Sequence, residues 1–156
     1  MKKPFLILFV LFFMNTQACV TGSFSNITPK SNPSVASDLT QSNEKWVKMG
    51  SDLFKDGLYQ HAIEALNNAI EINPQDASAY LLRGTAYYKL RQFNPTINDF
   101  NKAIELNPQD AAGYYCRGLA YDSLGNENQA IQDMKKAARQ NFKLAQDFLL
   151  NKKIEW

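Results

Sequence analysis

The chain has one histidine and two cysteines among its 156 residues. Metal sites and nucleophilic catalysis usually draw on several such side chains, so this shortage leaves few catalytic or metal-binding schemes. The sequence also lacks a phosphate-binding loop, a paired-cysteine spacing and a nucleophile elbow. We therefore expect no enzyme, no metal, no cofactor and no small-molecule substrate. His61 is predicted to lie on the solvated surface, and Cys116 is predicted to be a small buried thiol.

Charge of one sign is not in excess either. The chain has 17 Lys and Arg against 15 Asp and Glu. Two of the bases, Lys2 and Lys3, lie in a segment that is predicted to be removed, which leaves 15 of each sign. A neutral chain offers no broad positive field. This balance argues against nucleic acid as the main partner.

No apolar run is long enough to cross a bilayer. The longest extends from Pro4 to Met14, whereas a membrane-spanning helix needs roughly 20 apolar residues. The run follows two lysines and precedes small and polar residues up to Ala18, which is typical of a signal peptide over residues 1–18. Its removal leaves one modest domain, and 45% hydrophobic residues indicate that this domain has a packed core.

Cleavage after Ala18 makes Cys19 the first residue of the mature chain. This stretch resembles a bacterial lipoprotein signal, whose cysteine receives a diacylglycerol and an acyl chain. The resemblance implies that Cys19 is lipidated and that the lipid anchors the protein to a membrane. Residue 20 is a valine and not the aspartate that resembles a retention signal in enteric lipoproteins. The resemblance therefore also implies an outer-membrane lipoprotein facing the periplasm. Ordinary cleavage, giving a soluble periplasmic or secreted protein, is the alternative, and a disulfide between Cys19 and Cys116 also stays open.

Residues 19–42 are rich in Ser, Thr, Asn and Pro and follow neither a helical nor a strand period. This composition predicts a disordered tether between the cysteine and the domain.

From residue 43 the chain repeats itself with a period of 34. The segments AIEINPQD (69–76) and AIELNPQD (103–110) differ at one position, and Gly50, Gly84 and Gly118 stay in register. The period defines repeats 43–76, 77–110 and 111–144 in a domain over residues 43–142. Residues 143–156 are predicted to form a capping helix and tail, with Leu144, Phe148 and Leu149 as candidates for its apolar face, because a repeat stack needs a polar terminal element.

Each 34-residue period is predicted to form two helices. In the first helix of repeat one, Trp46, Met49, Gly50 and Leu53 follow the spacing of a buried stripe. In repeat two, Arg83 falls on that stripe and is predicted to lay its stem along apolar surface with a free head group.

The helix boundaries carry their own signals. Asp76 and Asp110 are predicted to cap the helices that follow them. In repeat two, Asn94 is predicted as a cap with Pro95 at the first helical position, where its missing N–H costs nothing.

Spacing, residue size and copy number together resemble the tetratricopeptide repeat. The residues that carry the resemblance are Trp46, Gly50, Ala62, Ala69 and Pro74, then Tyr80, Gly84, Tyr87, Phe100, Ala103 and Pro108, then Tyr114, Gly118, Tyr121, Ala130 and Ala137. The resemblance implies an all-α solenoid of three helical hairpins plus the capping helix.

In this family the first helices line a concave groove for a protein or peptide partner. On this chain the resemblance maps that groove to Val47, Ser51, Phe54, Lys55, Leu81, Thr85, Tyr88, Lys89, Tyr115, Leu119, Asp122 and Ser123. The implied function is an envelope-anchored interaction scaffold in pilus or secretion assembly, or in the control of cell-wall enzymes.

Two other interpretations stay open. The aromatic residues of this face could simply pack between adjacent repeats. The protein could instead be a structural spacer that contacts anionic membrane or glycan through its basic end, which consists of Lys135, Lys136, Arg139, Lys143, Lys152 and Lys153.

Overall fold

The computed structural model describes residues 33–156. This range contains seven α-helices and no strand: α1 (Pro33–Lys55), α2 (Tyr59–Ile72), α3 (Ala77–Lys89), α4 (Phe93–Leu106), α5 (Ala111–Ser123), α6 (Glu127–Arg139) and α7 (Lys143–Asn151). Helices pair in chain order as α1 with α2, α3 with α4 and α5 with α6, and each pair contacts the next. The predicted all-α solenoid of three hairpins and a capping helix is confirmed.

The beginning of the chain differs from the sequence-based expectation. Residues 33–42, predicted as part of the tether, are helical, because α1 begins at Pro33 rather than at residue 43. Proline is tolerated at the first helical position, and a formed helix extends readily because each added residue brings a backbone hydrogen bond. The predicted signal peptide, Cys19 and residues 19–32 lie outside the described residues. Within residues 33–156, no helix has the length and apolar character to cross a membrane.

Small residues bring the two helices of each hairpin into close contact. A Cβ added to Gly50 would lie 2.6 Å from Cγ of Leu66, and one added to Gly84 would lie 2.8 Å from Cε1 of Phe100. The alanines on the facing helices are buried as well: Ala62, Ala69, Ala103, Ala130 and Ala137. The repeated glycines and alanines therefore set the spacing between paired helices, as the period predicts.

Aspartates begin two of the first helices, as predicted. The carboxylate of Asp76 accepts hydrogen bonds from the backbone N–H groups of Ser78 and Ala79, and that of Asp110 accepts one from Ala112. The side chain of Asn43 also donates to Asp76, at 2.8 Å. Burial by itself would raise the pKa of Asp76, but these hydrogen bonds together lower it.

The start of α4 was predicted two residues too late. The helix begins at Phe93 with Gln92 as its cap, so Asn94 is not the cap and Pro95 is the third helical residue. Proline fits there because the first four N–H groups of a helix have no partner within the helix. The hydroxyl of Thr96 donates to the carbonyl of Gln92 at 2.7 Å, which ties the first turn to its cap.

Two predictions for the buried stripe are wrong. The head group of Arg83 is not free: it donates to both carboxylate oxygens of Asp99 and to the side-chain oxygen of Asn67. Met49, at the matching position of repeat one, is 41% exposed. No earlier repeat packs on α1 within the described residues, so this side of the helix faces solvent.

The apolar face of the capping helix α7 differs in part from the prediction. Leu149 is buried and Phe148 packs against the same cluster, as predicted, and Ala145 is buried as well. Leu144, predicted on that face, is instead 54% exposed. The cause is the turn before the helix. Asn141 adopts a left-handed φ of 63°, and the N–H of Phe142 bonds to the carbonyl of Ala137, so α6 ends without the proline turn of the earlier repeats.

Candidate functional site

The first helices of the three hairpins form the inner layer of the solenoid, since α1 contacts α3 and α3 contacts α5. The residues predicted for partner binding all belong to these helices. Half-buried among them are Val47, Ser51, Phe54, Leu81, Thr85, Tyr88, Tyr115 and Leu119, and exposed are Lys55, Lys89, Asp122 and Ser123. The layer therefore presents partly covered apolar side chains with polar groups beside them.

The portion of this layer in repeat one is largely satisfied by its own neighbours. Val47 packs against a buried cluster that contains Leu66. The ring of Phe54 lies 5.3 Å from that of Tyr59, measured between centroids. The ammonium of Lys55 pairs with Asp52 at 3.2 Å. These side chains contribute mainly to the stability of the first hairpin.

Helices α3 and α5 leave a small recess between them. It has a volume of about 130 Å³ and is lined by Thr85, Tyr88, Lys89, Phe100, Cys116 and Leu119. Its lining joins side chains from three helices, with Phe100 contributed by α4. We call it the apolar recess, because aromatic, aliphatic and thiol groups form most of its wall.

A hydrogen bond joins α3 and α5 next to the apolar recess. The hydroxyls of Tyr88 and Ser123 lie 2.9 Å apart and link the ends of α3 and α5. Both residues also line a wider recess of about 320 Å³, together with Lys89, Arg91 and Phe93. We call it the basic recess, after Lys89 and Arg91.

Sequence reasoning missed several of these lining residues. Phe100 and Cys116 were assigned to packing, and Arg91 and Phe93 were not considered. A signal for Arg91 was present, because the positions one period away in either direction are Gly57 and Gly125. An arginine where two equivalent turns use glycine marks this turn as different.

On α5, two of the predicted groove residues, Tyr115 and Leu119, pack against the protein's own core. The ring of Tyr115 lies 5.1 Å from that of Phe142, and Tyr115 and Leu119 pack against a buried cluster that contains Met134. Burial raises the pKa of the Tyr115 phenol. These two side chains serve the packing of α5 on α6 and α7.

The residues with potential catalytic chemistry are isolated. Burial raises the pKa of the Cys116 thiol to about 11, which disfavours the reactive thiolate at neutral pH. His61 is exposed on α2. Among residues 33–156, no group of three or more His, Cys, Asp or Glu side chains could hold a metal ion.

Much of the basic C-terminal end is engaged within the molecule. Lys143 pairs with Asp147 at 3.1 Å, and Lys136 lies over the ring of Tyr114. Lys152 approaches Asp122 at 3.4 Å and Glu127 at 3.0 Å. The hydrogen bond with Glu127 is the largest of the contacts that raise the pKa of Lys152. Asp122, a predicted groove residue, is therefore already paired.

Comparison with known families places repeats along most of the described range. Models described as "TPR repeat" and "Tetratricopeptide repeat" match residues 50–90, 77–110 and 100–132. A human protein, "Tetratricopeptide repeat protein 16", is 50% identical over 38 residues, which are 24% of this chain and 4% of the relative. The chain thus spans a small part of the length of that curated relative.

Solved structures extend the likeness to about 70% of the chain. The first TPR of Spaghetti (RPAP3), bound to the HSP90 peptide SRMEEVD, superposes with a TM-score of 0.68 at 26% identity and covers 71% of this chain and 90% of its own. The second TPR of the same protein, bound to the same peptide, has a TM-score of 0.65 at 27% identity and covers 68% of this chain and 98% of its own. The crystal structure of MamA has a TM-score of 0.62 at 30% identity and covers 71% of this chain and 64% of its own. The fold is shared with domains that were solved with peptides bound.

Proposed function

Since this chain folds as a tetratricopeptide repeat solenoid, we propose that it is an interaction scaffold that binds a peptide segment of a partner protein along the inner layer of α1, α3 and α5. The observation that carries this proposal is the apolar recess between α3 and α5. A hydrogen bond between Tyr88 and Ser123 joins the two helices beside it. Concave sites with an apolar wall and a few polar groups are typical ligand sites. The peptide-bound relatives support the same class of partner.

Recognition of a peptide through a cation at the start of the inner layer is not expected in this chain. The resemblance implies that some members of the family recognise chaperone tails through a lysine and an asparagine on the first helix, and it puts Val47 and Ser51 at those places in this chain. Neither side chain carries a positive charge, and Val47 packs against the buried cluster. A ligand that depends on that pair would lose its main charged contact here.

We further propose that the scaffold is exported and anchored through lipid on Cys19, in the service of pilus or secretion assembly or of cell-wall enzyme control. Sequence features in residues 1–19 support this proposal. Cys19→Ser in the source cell should abolish labelling by radioactive palmitate and move the protein from the membrane to the soluble fraction. Membrane association that survives the substitution, with no label in the parent protein, would refute lipidation.

Site-specific photocrosslinking in cells tests the binding proposal. A photoreactive amino acid replaces Leu81 on the inner layer or, as the matched control, His61 on the exposed side of α2. We expect a discrete crosslinked partner from position 81 and none from position 61. Equal crosslinking from both positions, or none from either, would contradict partner binding at the inner layer.

A further inference from the structure

The apolar and basic recesses adjoin one another, because Tyr88 and Lys89 line both of them. Ser123 lines the basic recess and forms the hydrogen bond with Tyr88. A ligand that fills one recess therefore has its next group at the mouth of the other. The two recesses form one continuous surface at the ends of α3 and α5.

The apolar recess sets the size of the group it can take. A cavity of about 150 Å³ lined by aliphatic residues holds one benzene molecule. At about 130 Å³, the recess between Thr85, Phe100 and Leu119 has room for one aliphatic side chain. Phe100 is buried and forms the part of the recess wall that α4 contributes.

The basic recess sets the charge of the neighbouring group. Lys89 and Arg91 both line it, and among residues 33–156 neither has an ion-pair partner. Two unpaired cations beside the hydroxyls of Tyr88 and Ser123 are complementary to a carboxylate. Lys89 is the last residue of α3 and Arg91 lies in the turn that follows. The recess lining contains no acidic side chain that would repel a bound carboxylate.

Arg91 occupies its position at a conformational cost. Its φ is 59°, in the left-handed region, where a side chain is disfavoured. The equivalent turns place Gly57 and Gly125 there, each with φ of 76°. Glycine would relieve the strain in repeat two without loss of the turn, because the backbone hydrogen bonds of the three turns are the same. Arginine in place of glycine supplies a charge that the turn itself does not need.

We propose that the two recesses form one bipartite site for an acidic peptide segment of the partner, with an aliphatic side chain in the apolar recess and an adjacent Asp or Glu carboxylate beside Lys89 and Arg91. The inference rests on the proposed function and names the class of peptide that this face selects. In this proposal the carboxylate of the peptide binds at the end of α3, distant in sequence from Val47 and Ser51.

The test begins with selection of a random displayed peptide library on the full chain. Selected peptides should carry an aliphatic residue next to an acidic one. Synthetic peptides with the pairs Leu-Glu, Leu-Gln and Ser-Glu in one neutral background then give dissociation constants. We expect the Leu-Glu peptide to bind roughly threefold or more tightly than Leu-Gln, and this ratio to fall as salt is raised.

Arg91→Gly separates recognition from folding. Removing the strained side chain should raise the unfolding midpoint by a few degrees, while the preference for Leu-Glu over Leu-Gln shrinks towards one. Lys153→Gly is the matched control, since Lys153 also has a left-handed φ, of 57°, and lies in a different turn. It should raise the midpoint and leave the peptide preference unchanged. Lys48→Gln controls for the loss of one positive charge.

The outcomes distinguish the two proposals. Selected peptides that bind the inner layer without an acidic residue, or an Arg91→Gly variant that keeps the full Leu-Glu preference, would overturn the bipartite site and leave the scaffold proposal standing. If the library yields no peptide that binds the inner layer, both the bipartite site and the scaffold proposal would be overturned.

Discussion

Arg83 holds Asp99 by two hydrogen bonds, from Nε to Oδ2 at 2.8 Å and from Nη2 to Oδ1 at 2.7 Å. Its Nη1 donates to Asn67 on the preceding hairpin at 2.7 Å. The carboxylate hydrogen bond is the main cause that raises the pKa of Arg83, so the guanidinium stays charged. Arg117 repeats the arrangement with Asp133 and Asn101. One guanidinium thus joins both helices of its own hairpin to the previous one.

Removal of one partner from this ion pair should be costly. The side chains of Arg83 and Asp99 are 18% and 8% exposed, so Asp99→Ala leaves a largely buried positive charge without its counter-ion. We expect a loss of about 3 kcal/mol in the free energy of unfolding, measured by urea denaturation. Asp52→Ala breaks exposed ion pairs with Lys48 and Lys55 and should cost less than about 1 kcal/mol.

Repeat one has apolar residues at the equivalent positions, because Met49 and Ala65 stand one period before Arg83 and Asp99. The double variant Arg83→Met with Asp99→Ala should therefore recover much of the stability that Asp99→Ala loses, since no buried charge is left unpaired. A double variant as unstable as the single one would show that the charge of Arg83 is not the source of the loss.

Close packing at the first glycine gives a second prediction. In Gly50→Ala the new Cβ would lie 2.6 Å from Cγ of Leu66, a branch point that cannot simply rotate away. Overpacking costs about 1 to 3 kcal/mol, against a gain of up to about 1 kcal/mol in helix propensity. We expect a net loss of stability in thermal and urea unfolding.

A double-mutant cycle isolates the steric part of that loss. Leu66→Ala removes the clashing atoms, so Gly50→Ala in that background should be neutral or stabilising. An equal loss in both backgrounds would mean that Gly50 and Leu66 do not meet as described.

The cap at Asp76 gives a pH-dependent prediction. Asp76→Ala should cost about 1 kcal/mol at neutral pH. Because the folded-state pKa of Asp76 lies below its ordinary value of 3.8, its contribution is present above that pH and is lost as pH falls through the lower, folded value. The difference in unfolding free energy between parent and variant should therefore shrink below about pH 4. A difference that stays constant down to pH 2 would contradict the hydrogen bonding.

Cys116 should be unreactive in the folded protein. Its folded pKa of about 11 exceeds the ordinary value of 9.0, so the thiol stays protonated, and its stabilising effect is lost as pH rises from about 9 through 11. Alkylation by iodoacetamide near neutral pH should be slow in buffer and fast in urea. Fast alkylation of the native protein, mapped to Cys116 by mass spectrometry, would contradict this burial.

The sequence predicts some of these features better than others, for physical reasons. Period and residue size suffice for the contact of Gly50 with Leu66, because close helix packing requires small residues at fixed spacing. The partner of Arg83 could not be read in the same way, since its carboxylate lies on another helix and hydrogen bonding depends on side-chain geometry. The exposure of Leu144 was missed because the left-handed Asn141 changes the turn and with it the rotation of α7.

The candidate site was predicted only in part. The repeat pattern led to Tyr88 and Lys89, since both lie on the first helix of repeat two. Tyr115 follows the same pattern, but it packs against Phe142 in a contact that exists only in the last repeat. The basic recess depends on Arg91 in a turn, and a turn position carries no helical periodicity that could assign it to a face.

The dissociation constant of the crosslinked partner tests most directly whether the inner layer is the binding surface. Leu81→Ser changes that layer at a half-buried position, and His61→Ser changes the exposed side of α2. With unfolding midpoints matched to the parent, we expect Leu81→Ser to weaken binding about tenfold, or 1.4 kcal/mol, and His61→Ser to have no effect. Equal affinities for parent and Leu81→Ser, or a loss confined to His61→Ser, would contradict binding at the inner layer.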